Sequence, residues 1–241
     1  MTVTVAGVDG CPAGWVVVTR TLADPATATA IRVSSFAELL AIEPRPVIVA
    51  IDVPIGLPDR GIKGGRHCDV AVRALLGARQ SSVFGVPPRA AIMCEDYRAA
   101  CAAALANTDP PRKVSKQCFH LFPKIREVDA LMTPALQATV RECHPEAAFY
   151  ALNGQRPLTE PKKIKSRLHP EGLTLRRKLL SEAGYLPALL TSQPPPGANA
   201  DDLLDATACS WTAARIAAGT ALCLPAEPPR DGRGLRMEIW S

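Results

Sequence analysis

The sequence has 241 residues, of which 47% are hydrophobic and 21% charged, a composition typical of a folded globular protein. No apolar run approaches the roughly 20 residues that a membrane-spanning helix needs, and the amino terminus shows no export-signal pattern. We therefore expect a cytoplasmic protein with no membrane partner, and its oligomeric state stays open. The eight cysteines form no CxxC pair, which favours free thiols over a disulfide framework or a zinc site.

The net charge is +5, and the excess positive charge lies in one segment. Residues Arg156–Lys178 contain eight Lys or Arg against two acids, so the segment carries +6 and the remainder about −1. Such a concentration suits a phosphate-bearing partner, either nucleic acid or a nucleotide, although a solvated loop and helix would show the same pattern. The candidates for phosphate-backbone contacts are Lys162, Lys163 and Lys165.

The sequence of residues 3–53 predicts three strands, a helix and a fourth strand. A Gly- and Pro-rich turn separates two apolar runs, which predicts a hairpin, and Ser34 or Ser35 is suited to cap a short helix ending near Ala41. This order is that of the opening of a ribonuclease H-like sheet. The predicted strands are Val3–Asp9, Trp15–Arg20, Ala28–Val33 and Val47–Val53.

After Pro58 the sequence becomes polar and helical in pattern, and we interpret residues 59–134 as an insertion packed on the sheet. The chain is thus expected to form a single α/β domain with flanking helices. Within and after the insertion, the predicted helices are Asp69–Leu76, Tyr97–Ala106, Leu173–Ala183 and Asp201–Ala218, and the predicted strands are Thr139–Cys143 and Leu235–Trp240.

Two buried strands end in single aspartates, Asp9 and Asp52, each followed at once by turn residues. A carboxylate at the end of an apolar strand is costly unless the site requires it. If the strands are neighbours, both aspartates lie at the edge of the sheet where open α/β sheets bind ligands. We therefore place the candidate active site there.

Further acids are expected at the same edge. Asp202 and Asp205 share one face of the last helix, whereas Asp201 is assigned to the helix cap. Glu142 and Glu146 follow the Thr139–Cys143 strand. Carboxylates about 4 Å apart repel by about 4 kcal/mol at an effective dielectric near 20, so the cluster predicts a cation. Hard oxygen ligands favour Mg²⁺ or Mn²⁺, held by Asp9, Asp52, Glu142 and Asp202 or Asp205.

Motifs along nearly the whole chain resemble the domain-of-unknown-function family 429, whose members are described as predicted nucleases of the ribonuclease H fold. The resemblance implies metal-dependent cleavage of phosphodiester bonds. The matching stretches are Gly7–Trp15, Ile51–Pro58, Arg66–Arg73, Ser81–Phe84, Ser115–Gln117, Pro123–Asp129, Glu142–Glu146 and Asp201–Ala206.

The resemblance also draws attention to residues near these acids. Arg66, Asp69 and Arg73 are spaced for one helix face, where they would either grip phosphate or form an ion-pair network. His144 is a candidate proton carrier, or a structural histidine. Lys116 and Lys124 are candidates for substrate contacts, or surface residues.

Two other functions remain open at this point. The ribonuclease H fold is shared with sugar kinases and actin-like ATPases, so a phosphotransferase would use the Asp9-Gly10 turn to hold phosphates. Such an enzyme would need a second, similar domain with an adenosine pocket. The other alternative is a non-catalytic protein in which the acids serve structure alone.

Overall fold

The computed structural model describes residues 2–165 and 167–241. No helix among them is long and apolar enough to cross a membrane. The strands are β1 (Thr4–Cys11), β2 (Gly14–Thr21), β3 (Thr29–Val33), β4 (Ile48–Ile51), β5 (Gly61–Ile62), β6 (Thr108–Asp109), β7 (Val140–Glu142), β8 (Lys163–Ile164), β9 (Arg167–Leu168), β10 (Cys223–Leu224) and β11 (Ile239–Trp240).

The helices lie between and after these strands, and three short 3₁₀ segments supplement them. The α-helices are α1 (Phe36–Leu40), α2 (His67–Leu76), α3 (Arg89–Ile92), α4 (Tyr97–Asn107), α5 (Lys116–Phe119), α6 (Phe122–Leu131), α7 (Pro145–Leu152), α8 (Pro170–Glu182), α9 (Pro187–Leu190) and α10 (Ala200–Ala217).

A five-stranded sheet in the order β3-β2-β1-β4-β7 forms the centre of the protein. The first three strands pair antiparallel as a meander, whereas β4 is parallel to both β1 and β7. The mixed α/β class predicted from the sequence is confirmed, and the strand order is compatible with a ribonuclease H-like arrangement. Because β1, β4 and β7 run in the same direction, their carboxyl ends meet at one edge of the sheet.

The two faces of the sheet carry different helices. Side chains alternate along a strand, so Ala6 and Val8 of β1 join a core packed with α1, α3, α4 and α6, whereas Val5 joins a core packed with α7, α8 and α10. Asp9 follows the alternation of Val5 and therefore lies on the face covered by α10.

Helix α10 lies unusually close to β1. A Cβ added at Gly7 would lie 1.9 Å from the backbone nitrogen of Ser210 and 2.2 Å from the carbonyl oxygen of Ala206. Real Cβ atoms do not approach backbone so closely, so only glycine fits here. This contact fixes the first turns of α10 beside the end of β1.

Most elements predicted from the sequence are present, with ends shifted by a few residues. The predicted strand Leu235–Trp240 is mostly wrong, since only Ile239 and Trp240 form a strand, paired with β10. The amides of Leu235 and Met237 instead donate to Asp231 and to the carbonyl of Pro229, which holds this segment against a loop.

Candidate functional site

The two predicted aspartates are neighbours at the carboxyl edge of the sheet. Asp9 belongs to β1, and Asp52 follows β4, its amide donating to the carbonyl of Val8 at 2.9 Å. Asp9 is buried, with 8% of its surface exposed, and its Oδ1 accepts the amide of Gly10 at 2.8 Å. The prediction that these strands bring the two carboxyls to one edge is confirmed by the register of β1 and β4.

Three more aspartates reach the site from the first turns of α10. Asn199 caps this helix, and its amide donates to Asp202 Oδ2 at 2.8 Å, so Asp202 completes the capping box. Assigning the cap to Asp201 was therefore wrong, because the helix begins one residue earlier than predicted. Asp205 lies one turn further along α10 and is buried.

The predicted phosphate-binding lysines Lys162 and Lys163 form ion pairs with these acids, Lys162 half-buried and Lys163 still exposed. The ammonium of Lys162 binds Asp205 Oδ2 directly and lies 3.9 Å from Asp201 Oδ2, while Lys163 Nζ lies 2.5 Å from the same Asp201 oxygen. From charge alone we expect these two lysines to form a phosphate-binding surface. In the structure both are paired with aspartates instead. Lys165 is exposed and makes no ion pair with a described residue.

Burial dominates the electrostatics of the site. Desolvation, helped by the neighbouring Asp52 and Asp205 carboxylates, raises the pKa of Asp9 well above its usual range. Desolvation also raises the pKa of Asp52 to about 7, although the Lys162 ammonium counteracts it. Conversely, the carboxylates of Asp205 and Asp9 outweigh burial and raise the pKa of Lys162. Burial and mutual repulsion thus favour protonation of Asp9 and Asp52, and the ammonium groups of Lys162 and Lys163 offset the repulsion among the aspartates only in part.

Glu142 does not join this group, contrary to the prediction that it holds the metal. Its register places it beside Ile51, whose side chain lies on the face opposite Asp52. There Glu142 is bound by Arg66 through contacts of 2.6 and 2.8 Å and accepts the amide of Ile55 at 2.7 Å. The alternation of side chains along β7 is the physical reason.

Glu146, in the first turn of α7, lies on the side of the aspartates. Its carboxylate binds the buried guanidinium of Arg176 and raises the pKa of Asp52 through charge repulsion. Its Oε2 is buried without a hydrogen-bond partner in the described part of the chain. The same is true of Oδ1 of Asp201 and Oδ1 of Asp205, so three buried carboxylate oxygens of this group can each accept a further hydrogen bond.

For Arg66, Asp69 and Arg73 the sequence leaves open phosphate binding or an ion-pair network, and the structure gives different answers for the two arginines. Arg66 is buried and forms ion pairs with Asp69 at 2.8 Å and with Glu142 at 2.6 Å, so the network interpretation fits it. Arg73 is half-buried, and its Nε donates to the backbone carbonyl of Asp69 at 3.2 Å. It lines a cavity that does not itself contact the aspartates.

The remaining candidates occupy different positions around the aspartates. His144 precedes α7, where burial lowers its pKa, so its imidazole is neutral at neutral pH. Lys124 approaches Asp9, but its Nζ donates to the carbonyl of Gly14 at 2.6 Å and lies 4.3 Å from the Trp15 ring centre. Lys116 is exposed on α5, outside the cavities that contact the aspartates.

A cleft gives access to Asp9 and Asp52. Two adjoining cavities, of about 470 and 220 Å³, both contact these two residues and His144. The larger one extends to Lys162 and the beginning of α10. We call the two cavities together the acid cleft. Its other lining residues include Arg79, Ser81, Ser82, Gln117, Glu146, Lys163, Asp201 and Asp202.

The carboxyls at the acid cleft, together with Asp205, which is buried and lines neither cavity, fit a hard divalent cation in their chemistry. Asp9, Asp52 and Asp205 offer carboxylate oxygens, which Mg²⁺ and Mn²⁺ prefer, and Asp205 has an oxygen without a partner among the described residues. These side chains are not already arranged around one point, since no group of three metal-ligating side chains is preformed in the part of the chain that the structure describes. Lys162 occupies Asp205 instead.

Fold and site together define a mixed α/β protein with a buried carboxylate group at the carboxyl edge of its central sheet. The family model described as protein of unknown function (DUF429) matches residues 7–230, and the chain belongs to that family. No curated protein and no solved structure matches the chain.

Proposed function

We propose that the protein is a metal-dependent nuclease that hydrolyses phosphodiester bonds in the acid cleft, with Mg²⁺ or Mn²⁺ held by Asp9, Asp52 and Asp205. The observation that carries this proposal is the proximity of these three buried carboxyls at one edge of the sheet, where burial and the Asp205 carboxylate raise the pKa of Asp9 and Asp52 and the pKa of Asp205 is raised as well. Such a group is stabilised by a bound cation and is otherwise a cost to folding.

Lys162 and His144 have distinct roles in this proposal. A bound divalent ion would supply Lewis-acid stabilisation of the phosphoryl oxygens and lower the pKa of a water molecule. The Lys162 ammonium, 30% exposed at the cleft, would neutralise charge that develops on the phosphate. His144, neutral at neutral pH, would accept a proton from the attacking water.

The phosphotransferase alternative finds less support. It requires a second domain similar to the first, with an adenosine pocket between them. In the described residues there is one five-stranded sheet, and the remaining sheets have two strands each. The described residues therefore supply one of the two domains that a phosphotransferase of this kind needs, whereas the proposed nuclease needs only one.

Cleavage of end-labelled RNA and DNA, single- and double-stranded, tests the proposal in Mn²⁺ and in chelator. The wild type should cleave at least one of these only with metal. Asp52→Asn should lower the rate at least about 100-fold, equivalent to about 2.7 kcal/mol. Glu95→Gln, an exposed acid outside the cleft, is the matched control and should keep full activity. Metal-dependent cleavage that survives Asp52→Asn, or no cleavage of any substrate, would refute the proposal.

A further inference from the structure

A further cavity, of about 260 Å³, adjoins the acid cleft and, among the described residues, is lined by cations without acids. It lies between the loop around Gly64, the loop around Gly85 and the segment that follows β6. Arg73, Arg112 and Lys113 line it, and none of its lining residues in the described chain is Asp or Glu. We call it the basic pocket.

The three cations of the basic pocket are not neutralised by the protein. Arg73 donates to the backbone carbonyls of Asp69 and Gly64, which leaves its charge without a carboxylate partner among the described residues. Arg112 and Lys113 are exposed and form no ion pair within residues 2–165 and 167–241. Three cations around a small cavity favour an anionic ligand, and guanidinium groups match phosphate geometry.

The backbone around the basic pocket is held in place. A Cβ at Gly65 would lie 2.4 Å from the Cα of Gly85, so the two loops cross at glycines and their backbones form one wall. The segment carrying Arg112 and Lys113 is anchored before them by the pairing of β6 with β5. It is anchored after them by Val114, whose carbonyl accepts the Tyr97 hydroxyl at 2.9 Å. The pocket is therefore preformed, which lowers the entropic cost of binding.

The basic pocket and the acid cleft share a wall. Phe84, Ser115 and Cys118 line both the pocket and the cavity that contacts Asp9 and Asp52. Phe84 is half-buried, so one molecule passing it would contact both sites. The two sites would then hold a phosphodiester over the carboxylates and a second anionic group beside Arg112 and Lys113.

We propose that the basic pocket binds a phosphomonoester of the substrate, so that the protein acts near the phosphorylated end of a polynucleotide or on a phosphorylated nucleotide. This inference rests on the proposed nuclease function for the identity of the substrate. Recognition itself needs only the three cations, because a terminal phosphate carries more negative charge than a diester and offers more acceptor oxygens.

Fluorescence anisotropy in chelator tests this inference without cleavage. The probes are short single-stranded oligonucleotides that differ only in a phosphate or hydroxyl at the 5′ or the 3′ end. We expect one phosphorylated end to bind roughly tenfold more tightly than its hydroxyl counterpart. Arg112→Ala with Lys113→Ala should remove that ratio. Arg45→Ala with Arg98→Ala, a matched loss of two exposed cations outside the pocket, should preserve it.

Competition with a nucleoside monophosphate distinguishes the two sources of the phosphate. If the nucleoside monophosphate displaces the probe, the pocket binds free nucleotides as well as the phosphorylated ends of polynucleotides. If the probe stays bound, the pocket binds polynucleotide ends only. A ratio near one at both ends of the wild type, with no competition, would overturn the inference. So would a ratio that the Arg112 and Lys113 substitutions leave unchanged. Loss of catalysis alone, with the ratio intact, would refute only the nuclease proposal.

Discussion

Lys162 and Asp205, 43 residues apart in the chain, bind each other directly at the carboxyl edge of the central sheet. The lysine comes from the loop before α8, and its backbone carbonyl accepts the amide of His169 at 2.9 Å. That loop packs on α8 at Gly172, where a Cβ would lie 1.9 Å from the carbonyl oxygen of Pro161. The protein thus places the charge of Lys162 against its own acidic group, in addition to Lys163, which binds Asp201.

Removal of the Lys162 charge should expose the repulsion among the aspartates. Lys162→Met leaves Asp205 without its cation and should lower the free energy of unfolding of the metal-free protein by about 1–3 kcal/mol, less than for a fully buried pair because the side chain is partly exposed. The shift in Tm on adding Mn²⁺ should increase, because the divalent ion no longer competes with an ammonium. Thermal denaturation with and without Mn²⁺ measures both effects. Lys165→Met, in the same loop, is the control and should change neither; equal behaviour of the two variants would contradict this role of Lys162.

The raised pKa of Asp52 makes a prediction about pH. Its ordinary value is 3.8 and its value in the folded protein is about 7, so between these the native state binds more protons than the unfolded state. The contribution of Asp52 to the free energy of unfolding therefore falls as the pH rises from about 4 to 7. Asp52→Asn should remove this contribution, so the stability difference between variant and wild type should grow in favour of the variant toward pH 7. Denaturant unfolding in chelator across this range measures it, and a difference independent of pH would refute the assignment.

Glu142 should behave differently from the aspartates because it neutralises Arg66 on the other face of the sheet. Glu142→Gln leaves a buried guanidinium without half of its charge partners and should lower the free energy of unfolding by about 3 kcal/mol. The Mn²⁺-induced shift in Tm should nevertheless persist in this variant. Calorimetry with and without Mn²⁺ separates the two effects. If Glu142→Gln lost the Mn²⁺-induced shift in Tm but kept the free energy of unfolding of the wild type, Glu142 would be a metal ligand and this prediction would be wrong.

The position of Asp9 and Asp52 could be predicted from the sequence because the signal is local. Each aspartate ends an apolar run, and parallel strands bring such ends together. The helix that carries Asp202 and Asp205 was predicted from its periodicity and from the break before it. The close contact of Gly7 with α10 has only a weak signal in the sequence, the small residues Ala206 and Ser210 on the facing helix.

The partners of the charged residues could not be predicted in the same way. The face on which Glu142 lies depends on the register of β7 against β4, and one residue of shift reverses it. The ion pairs of Lys162 and Lys163 depend on a long-range contact between a loop and α10. The composition shows that this segment is basic, but it does not show which groups the lysines contact. The basic pocket joins three separate segments, none of which carries a pattern of its own.

The binding of a divalent ion by the aspartates is the central claim, and calorimetry of the wild type and Asp9→Asn in chelator and in millimolar Mn²⁺ tests it most directly. Mn²⁺ at about 100 times its Kd should raise the wild-type Tm by about 5–10 °C, since it binds the native state alone. Asp9→Asn keeps the oxygen that accepts the Gly10 amide but loses the charge, so the metal-free variant should be at least as stable as the wild type and should show no Mn²⁺ shift. Glu95→Gln should keep the full shift. A wild-type Tm that does not respond to Mn²⁺, together with a destabilised metal-free Asp9→Asn, would contradict the account.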